Sequence, residues 1–146
     1  MPYIAPPTLT HAEQLALLQT TRPHVRDHLI ISLALGTGLR LAEIVGLNVG
    51  DLFFPTGAPR GRVRLRREIA KGGRVGDVFL PQALEPKLRR LWAQKVRAGE
   101  STDLSSPVFC SQSGQSISKR RVQALYHGWQ VAAGFDRMYP FGVPQV

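Results

Sequence analysis

Two glycines between two apolar segments constrain the fold of this chain more strongly than any other feature of its sequence. From residue 23 to residue 35 the chain is apolar on nearly every side, which predicts a helix buried in the core. Gly36 and Gly38 then predict the end of that helix, because glycine adopts turn conformations that other residues resist. Apolar residues at helical spacing resume from residue 41 to residue 47, so a second, short helix is predicted after the turn.

Arg40 lies in this turn, between the two predicted helices. A guanidinium that two buried helices hold stiffly is well suited to bind a phosphate group. A structural arginine that caps the first helix would occupy the same position. The spacing alone favours neither interpretation.

Three further helices are predicted from capping and periodicity. Thr10 and Glu13 form a capping-box pattern, so the first helix is expected to begin at Thr10. An amphipathic helix is predicted from residue 82 to 97 and a last helix from residue 118 to 133. The outer face of the amphipathic helix carries four cations, interpreted as a solvated face: Lys87, Arg89, Arg90 and Lys95.

After the second helix the sequence changes to an alternating pattern. A short strand is predicted at Asp51–Phe54, and a second strand begins at Arg62, where basic and apolar residues alternate. The Gly72-Gly73 pair predicts a tight hairpin, because such turns need positive φ angles. A third strand then returns from Val75 to Leu80. The predicted fold is therefore α+β and mainly helical, with a small three-stranded antiparallel sheet.

One face of this predicted sheet is lined with arginines. Between residues 60 and 74 there are seven basic residues and one acidic residue, Glu68. Like charges aligned on one strand face repel each other, and a sheet that needed only stability would alternate the signs. A polyanion opposite this face is therefore favoured over a merely solvated face. The contacts predicted here are Arg62, Arg64, Arg66 and Arg74.

The last helix begins with three cations, Lys119, Arg120 and Arg121. Cations at a helix N-terminus oppose the helix dipole, at a cost of roughly 0.3–1 kcal/mol each when exposed. A bound phosphate would reverse that cost, because the helix end and the cations would both attract it. The net charge of +9 favours a polyanionic partner, most simply nucleic acid.

Composition argues against several other classes of site. The single cysteine, Cys110, excludes a disulfide framework and a cysteine-based metal cluster. His24 and His28 have a spacing that zinc sites use, but no third ligand stands nearby, so no metal site is predicted. The sequence has no long apolar run and no signal peptide at its start. A cytoplasmic protein that does not enter a membrane is therefore expected.

The turn around Arg40 resembles the first motif of the tyrosine recombinases, the phage integrase family. That motif reads T-G-x-R-x-x-E followed by L-x-x-x-D, which corresponds here to Thr37-Gly38-Leu39-Arg40, Glu43, Leu47 and Asp51. Other segments match the family in the same order: Leu9-Thr10 with Glu13, Lys71-Gly72-Gly73-Arg74, Leu80-Pro81, Val108-Phe109 and Ala132-Ala133-Gly134-Phe135. The resemblance covers residues 9–137, between a proline-rich arm at residues 1–8 and a divergent tail at residues 138–146.

The resemblance implies a chemistry and a set of roles. Enzymes of the family cut and rejoin double-stranded DNA through a covalent 3′-phosphotyrosine link, in a step that needs no metal and no cofactor. By resemblance, Arg40 holds the scissile phosphate and stabilises its developing charge. Glu43 would support Arg40 from the next helical turn. Lys71 would be the general acid that protonates the leaving 5′ oxygen.

The resemblance ends near residue 137. The family continues with an H-x-x-R motif and then the tyrosine nucleophile, whereas here Gly142 stands where the histidine is expected and no arginine follows it. Tyr126 and Tyr139 precede the expected position, so both are interpreted as packing residues. The sequence therefore predicts a catalytic domain truncated before its nucleophile, which binds DNA and does not cut it alone.

Two interpretations of such a fragment stay open. It is a truncated recombinase core, or it is a non-catalytic DNA-binding regulator that pairs with a full-length recombinase. An unrelated RNA- or ribosome-binding domain is a distant third. The family's final helices cover part of the core around residues 29–47, so an apolar surface left open there predicts self-association.

Overall fold

The computed structural model describes residues 8–66, 68 and 76–141 as a mainly helical fold with one small sheet. Its helices are α1 at His11–Thr21, α2 at Val25–Thr37, α3 at Leu41–Val45, α4 at Val49–Leu52, α5 at Glu85–Ala98 and α6 at Lys119–Ala132. Its strands are β1 at Arg62–Leu65 and β2 at Gly76–Phe79, and a 3-10 turn at Gln82–Leu84 leads into α5. Within the described residues, no helix is both long and apolar enough to cross a membrane.

Capping explains where the first helices begin and end. The Thr10 hydroxyl accepts the Glu13 N–H at 3.1 Å, and a Glu13 carboxylate oxygen accepts the Thr10 N–H at 2.9 Å. These two bonds confirm the predicted capping box. α2 ends at Gly38, which has a left-handed φ of 71°. Gly36 lies inside α2, so the prediction that it interrupts the helix is wrong; one interior glycine weakens a packed helix without ending it.

The sheet has two strands in the described part of the chain, where the sequence predicted three. β1 and β2 pair antiparallel, with Arg62 opposite Phe79 and Arg64 opposite Asp77. Val63 and Leu65 of β1 are buried, which confirms the predicted alternation along this strand. The hairpin predicted at residues 71–74 lies outside the described residues.

The strand predicted at Asp51–Phe54 is wrong, because Asp51 and Leu52 belong to α4. The Asp51 carboxylate accepts the Asn48 N–H at 2.7 Å, so it caps the start of this short helix. Only Phe53 makes a strand-like contact, an isolated bridge to Pro59. A helical turn thus occupies the position of the predicted strand.

The core surrounds α2. One cluster joins α2 to α3, the sheet and α5, and its members include Leu29, Leu33, Ile44, Leu47, Val63, Leu65, Leu88 and Leu91. A smaller cluster lies where α1 packs against α2 and α6, and its members are Leu9, Leu17, Ile31, Tyr126 and Tyr139. The turn between α2 and α3 is therefore anchored to the core on both of its sides.

The segment after α6 is tied back onto α6 and α1. The buried Gln130 amide donates to the Tyr139 carbonyl at 2.9 Å and accepts the Tyr139 N–H at 2.6 Å. The Tyr139 hydroxyl donates to the Glu13 carboxylate at 3.2 Å. Tyr126 and Tyr139 are 6% and 5% exposed, which confirms that both are packing residues. Burial, with the nearby Glu13 and Tyr139, raises the pKa of Tyr126 to about 12.

The cations of α5 do not share one solvated face, contrary to the prediction. Lys95 is 1% exposed, and its ammonium group donates to Glu100 at 2.9 Å. Lys87 is half-buried and donates to the Ser32 hydroxyl at 2.9 Å. Lys95 follows Leu91 by one helical turn, so it continues the buried stripe of α5 and pairs there with a carboxylate.

His28 lies on α2 in a buried, positively charged environment. It is 3% exposed, and its Nδ1 atom lies 3.0 Å from the Thr21 hydroxyl. Burial and, to a smaller extent, the cations Lys87, Arg90 and Arg22 together lower the pKa of His28 from 6.5 to about 4. His28 is therefore neutral in the folded protein at neutral pH.

We expect His28 to make the stability of the chain depend on pH. Between pH 6.5 and about 4 the unfolded chain binds a proton that the folded chain does not, so the free energy of unfolding falls as the pH falls through this window. The loss amounts to about 3 kcal/mol. Urea unfolding across this range measures it, and His28→Gln should flatten the curve. An equally steep curve in His28→Gln would assign the effect to other groups.

Candidate nucleic-acid interface

The turn that carries Arg40 is fixed by hydrogen bonds and by one buried leucine. The Thr37 hydroxyl donates to the Leu33 carbonyl at 2.5 Å and accepts the Leu39 N–H at 3.2 Å. Leu39 is buried, and Gly38, which has a left-handed φ, reverses the chain between Thr37 and Leu39. The backbone enters α3 in one defined direction as a result.

Arg40 occupies the N-cap position of α3 in an extended conformation. Its N–H donates to the Glu43 carboxylate at 2.8 Å, and Glu43 is 1% exposed. Glu43 thus makes a capping contact with the backbone of Arg40, three residues before it. The Arg40 side chain is exposed and forms no hydrogen bond with the end of α2 among the described residues. This position leaves its guanidinium accessible to a ligand.

On the sheet, Arg62 and Arg64 project from the exposed face of β1. Arg62 forms an ion pair with Asp77 at 3.3 Å and lies over the Phe79 ring, 5.0 Å from its centre. Arg64 is exposed and forms no ion pair with any described residue. Both strands therefore contribute to this face, with one acid among its cations.

Arg66 is held by the protein itself. Its guanidinium donates to the Asp51 carboxylate at 3.0 Å, to the Gly46 carbonyl at 2.6 Å and to Glu68 at 2.9 Å. The Asp51 carboxylate also caps α4, so one acid joins α4 to the end of β1. These contacts give Arg66 a structural role that the alternating pattern did not reveal.

A groove of about 420 Å³ runs between α4 and the sheet. Its charged lining residues are Asp51, Arg60, Arg62, Arg64, Arg66 and Asp77. The Arg60 guanidinium donates to the Gly50 carbonyl at 2.8 Å and lies 4.4 Å above the centre of the Phe54 ring. The sequence placed Arg60 in the basic segment without predicting it as a contact. Four arginines against two aspartates leave this groove positively charged.

The start of α6 is a second exposed basic surface. Lys119, Arg120 and Arg121 are exposed, and the Ser118 hydroxyl caps the helix by accepting the Arg121 N–H at 3.0 Å. The Ser116 hydroxyl donates to the Val45 carbonyl at 2.7 Å, which ties this region to the end of α3. The Arg40 turn and the segment that leads into α6 therefore lie at opposite ends of α3. This helix is about 7.5 Å long.

Two predicted site residues, Lys71 and Arg74, lie outside the described residues. Among the described residues, no group of three or more His, Cys, Asp or Glu side chains is arranged to hold a metal ion. The described residues therefore place exposed cations at the Arg40 turn, along the groove and at the start of α6.

Comparison with known proteins agrees with this fold. The sequence matches the phage integrase family over residues 7–142. Tyrosine recombinase XerC of Vibrio vulnificus is 35% identical over 106 residues, which are 72% of this chain and 30% of that protein. A putative integrase/recombinase of Sinorhizobium fredii, y4rC, is 35% identical over 121 residues, which are 80% of this chain and 33% of that protein. The chain thus spans about a third of the length of these curated relatives.

Solved structures have the same architecture. The structure of XerA recombinase matches with a TM-score of 0.73 at 17% identity, over 96% of this chain and 46% of that one. Lambda integrase bound to DNA matches with a TM-score of 0.63 at 19% identity, over 99% of this chain and 48% of that one. These likenesses confirm the predicted class of fold, a mainly helical catalytic-core architecture with a small antiparallel sheet.

Proposed function

Because the chain belongs to the phage integrase family, which it matches over residues 7–142, we propose that it is a DNA-binding portion of a site-specific tyrosine recombinase. Its partner is double-stranded DNA, and its place in the cell is the cytoplasm. The relatives named XerC are described as tyrosine recombinases. The reaction proposed for the whole enzyme is DNA cutting and rejoining through a 3′-phosphotyrosine intermediate, with no cofactor.

The exposed Arg40 at the α2–α3 turn is the observation that carries this proposal. Its backbone is fixed by Glu43 and by the bonds of Thr37, while its guanidinium is accessible. A preorganised cation of this kind binds a phosphate without first losing conformational freedom. In the proposed reaction Arg40 holds the scissile phosphate, Glu43 positions Arg40, and Lys71 protonates the leaving oxygen.

The DNA-binding surface we propose combines the basic residues of the segment 62–74 and of the start of α6. Its members are Arg62, Arg64, Arg66, Arg74, Lys119, Arg120 and Arg121. Arg64 is the simplest member to test, because it is exposed and forms no ion pair with a described residue. Arg66 contributes positive potential mainly through its position, since its guanidinium already has three protein partners.

We expect the affinity of the chain for duplex DNA to be weakly sequence-dependent and to fall steeply with salt. Each phosphate that a cation neutralises releases counterions, so Arg64→Ser should reduce the slope of log affinity against log salt by about 0.9. Fluorescence anisotropy with a labelled duplex measures the slope. The matched control is Arg89→Ser, which removes an exposed arginine paired with Glu85 on α5 and should leave the slope unchanged. An affinity that does not vary with salt would refute the proposed DNA binding.

The alternative function is that of a non-catalytic DNA-binding regulator, or of a partner for a full-length recombinase. The burial of Tyr126 and Tyr139 favours it, since neither residue is more than 6% exposed.

Self-association of the chain through apolar surface around residues 29–47 is a separate proposal. In the segment 29–47 the side chains of Leu29, Leu33 and Ile44 are buried, so any contact would use the half-buried residues between them. Light scattering at increasing concentration tests this association.

A further inference from the structure

Two cations of α5, Lys87 and Arg90, lie beside α2 together with Arg22, the residue that follows α1. The Arg90 guanidinium on α5 donates to the backbone carbonyl of Arg22, which follows α1, at 3.2 Å. The Lys87 ammonium, one turn earlier on α5, donates to the hydroxyl of the buried Ser32 at 2.9 Å. His28 lies behind them, buried on α2. Both hydrogen bonds are made to uncharged groups, so they hold Arg90 and Lys87 in place without neutralising them.

No carboxylate balances these charges within the described part of the chain. The acids near α5 are already paired, Glu85 with Arg89 at 3.0 Å and Glu100 with Lys95 at 2.9 Å. Burial and, to a smaller extent, the charge of the nearby Arg22 lower the pKa of Lys87. The half-buried Lys87 thus lies beside the exposed Arg22 and Arg90, with no described acid paired to any of the three, and this arrangement suits an anion that comes from outside.

We propose that Arg22, Lys87 and Arg90 form a binding site for a phosphate group. The two guanidinium groups offer planar pairs of donors, which match the oxygens of a phosphate, and the lysine adds a point charge. Ser32 fixes the Lys87 ammonium at the base of the site. This site is distinct from the residues of the Arg40 turn, the groove and the α6 start, and it does not depend on the function proposed for them.

His28 supplies an internal reporter for the site. The same three cations that would hold the phosphate act on the His28 imidazole, and a bound phosphate would offset their charge. Phosphate binding should therefore raise the pKa of His28. A merely solvated group of cations would give no such coupling to one anion.

The test is an NMR titration of the intact chain with inorganic phosphate at constant ionic strength, with chloride as the reference anion. We expect a saturable shift of the His28 ring resonances in phosphate and none in chloride. Lys87→Gln and Arg90→Gln should each weaken phosphate binding roughly tenfold or more, because each removes a charged hydrogen-bond donor. Arg89→Gln is the matched control on the same helix and should bind phosphate normally.

Two results would overturn the proposal. One is the absence of a saturable phosphate effect on His28 in the unchanged chain. The other is equal phosphate affinity in the unchanged chain and in Arg90→Gln, whose exposed side chain can be replaced without opening the core. The Arg64 salt slope is measured separately, so failure here would leave the proposed DNA binding untouched.

A further arm identifies the source of the phosphate. Duplex DNA is added to the phosphate-loaded chain, and the His28 resonances are followed. Displacement of phosphate by the duplex would assign the site to a phosphodiester of the DNA backbone. Unchanged phosphate binding in the presence of saturating duplex would assign it to a free phosphate group. Both results support the site, and they differ in what fills it.

Discussion

Replacing Arg120 and Arg121 with glutamine is expected to stabilise the chain and to weaken its binding to duplex DNA. The two side chains are exposed at the N-terminus of α6, so their removal relieves roughly 0.3–1 kcal/mol of dipole repulsion each. The salt slope should fall by about two units, and the affinity near 0.1 M salt should fall roughly fiftyfold. Thermal unfolding and anisotropy on the same protein preparation measure the two effects.

A charge-matched control separates this result from a general loss of positive charge. Arg89→Gln with Arg97→Gln removes two exposed cations from α5, and Arg97 lies in the last turn, where a cation stabilises the helix. That control should be slightly less stable and should bind DNA with nearly unchanged affinity. An α6 variant that loses stability while keeping its DNA affinity would show that these cations are structural.

The 146-residue chain is expected to form no covalent adduct with a nicked or suicide DNA substrate. Tyr126 and Tyr139 are buried, the Tyr139 hydroxyl donates to Glu13, and the pKa of Tyr126 is raised to about 12. A buried and protonated phenol cannot attack a phosphodiester, so neither tyrosine of the described residues is placed to act as the nucleophile. A denaturing gel of the chain mixed with labelled DNA measures the outcome.

A full-length relative that forms the adduct on the same substrate is the positive control. Arg40→Ala in the present chain should weaken phosphate binding without changing any cleavage rate. A shifted covalent band from the unchanged chain, lost in Tyr126→Phe or Tyr139→Phe, would contradict this prediction and identify a working nucleophile.

Local signals predicted the parts of the fold that depend on neighbours in sequence. The Thr10–Glu13 capping box and the alternation around Val63 and Leu65 were confirmed because each needs only a few adjacent residues. The same signal was available for α4, where Asn48 and Asp51 have the spacing of a capping pair. The apolar run that follows was instead interpreted as a strand. The burial of Lys95 was also predictable from the sequence, since Lys95 follows Leu91 at helical spacing on the buried stripe of α5.

Other parts of the site could not be predicted, because they join residues far apart in sequence. The Arg66–Asp51 contact crosses 15 residues, and nothing in the alternating pattern distinguishes Arg66 from Arg64. Arg22 and Arg90 are 68 residues apart, so their meeting depends on how α1 and α5 pack on α2. The sequence therefore predicted which charges the chain carries, and the fold decides which of them are used internally.

The anchor of Arg66 has a consequence for chimeras between relatives of this chain. An exchange of residues 66–75 alone, with joints at Leu65 and Gly76, would remove the Arg66 guanidinium that donates to the Asp51 carboxylate and to the Gly46 carbonyl. The recipient would keep Asp51 without this partner, and β1 and β2 would lose the contact that fixes them to α4. A graft that carries residues 46–51 together with residues 66–75 transfers both sides of this contact. Residues 46–51 and the sheet therefore have to be exchanged together.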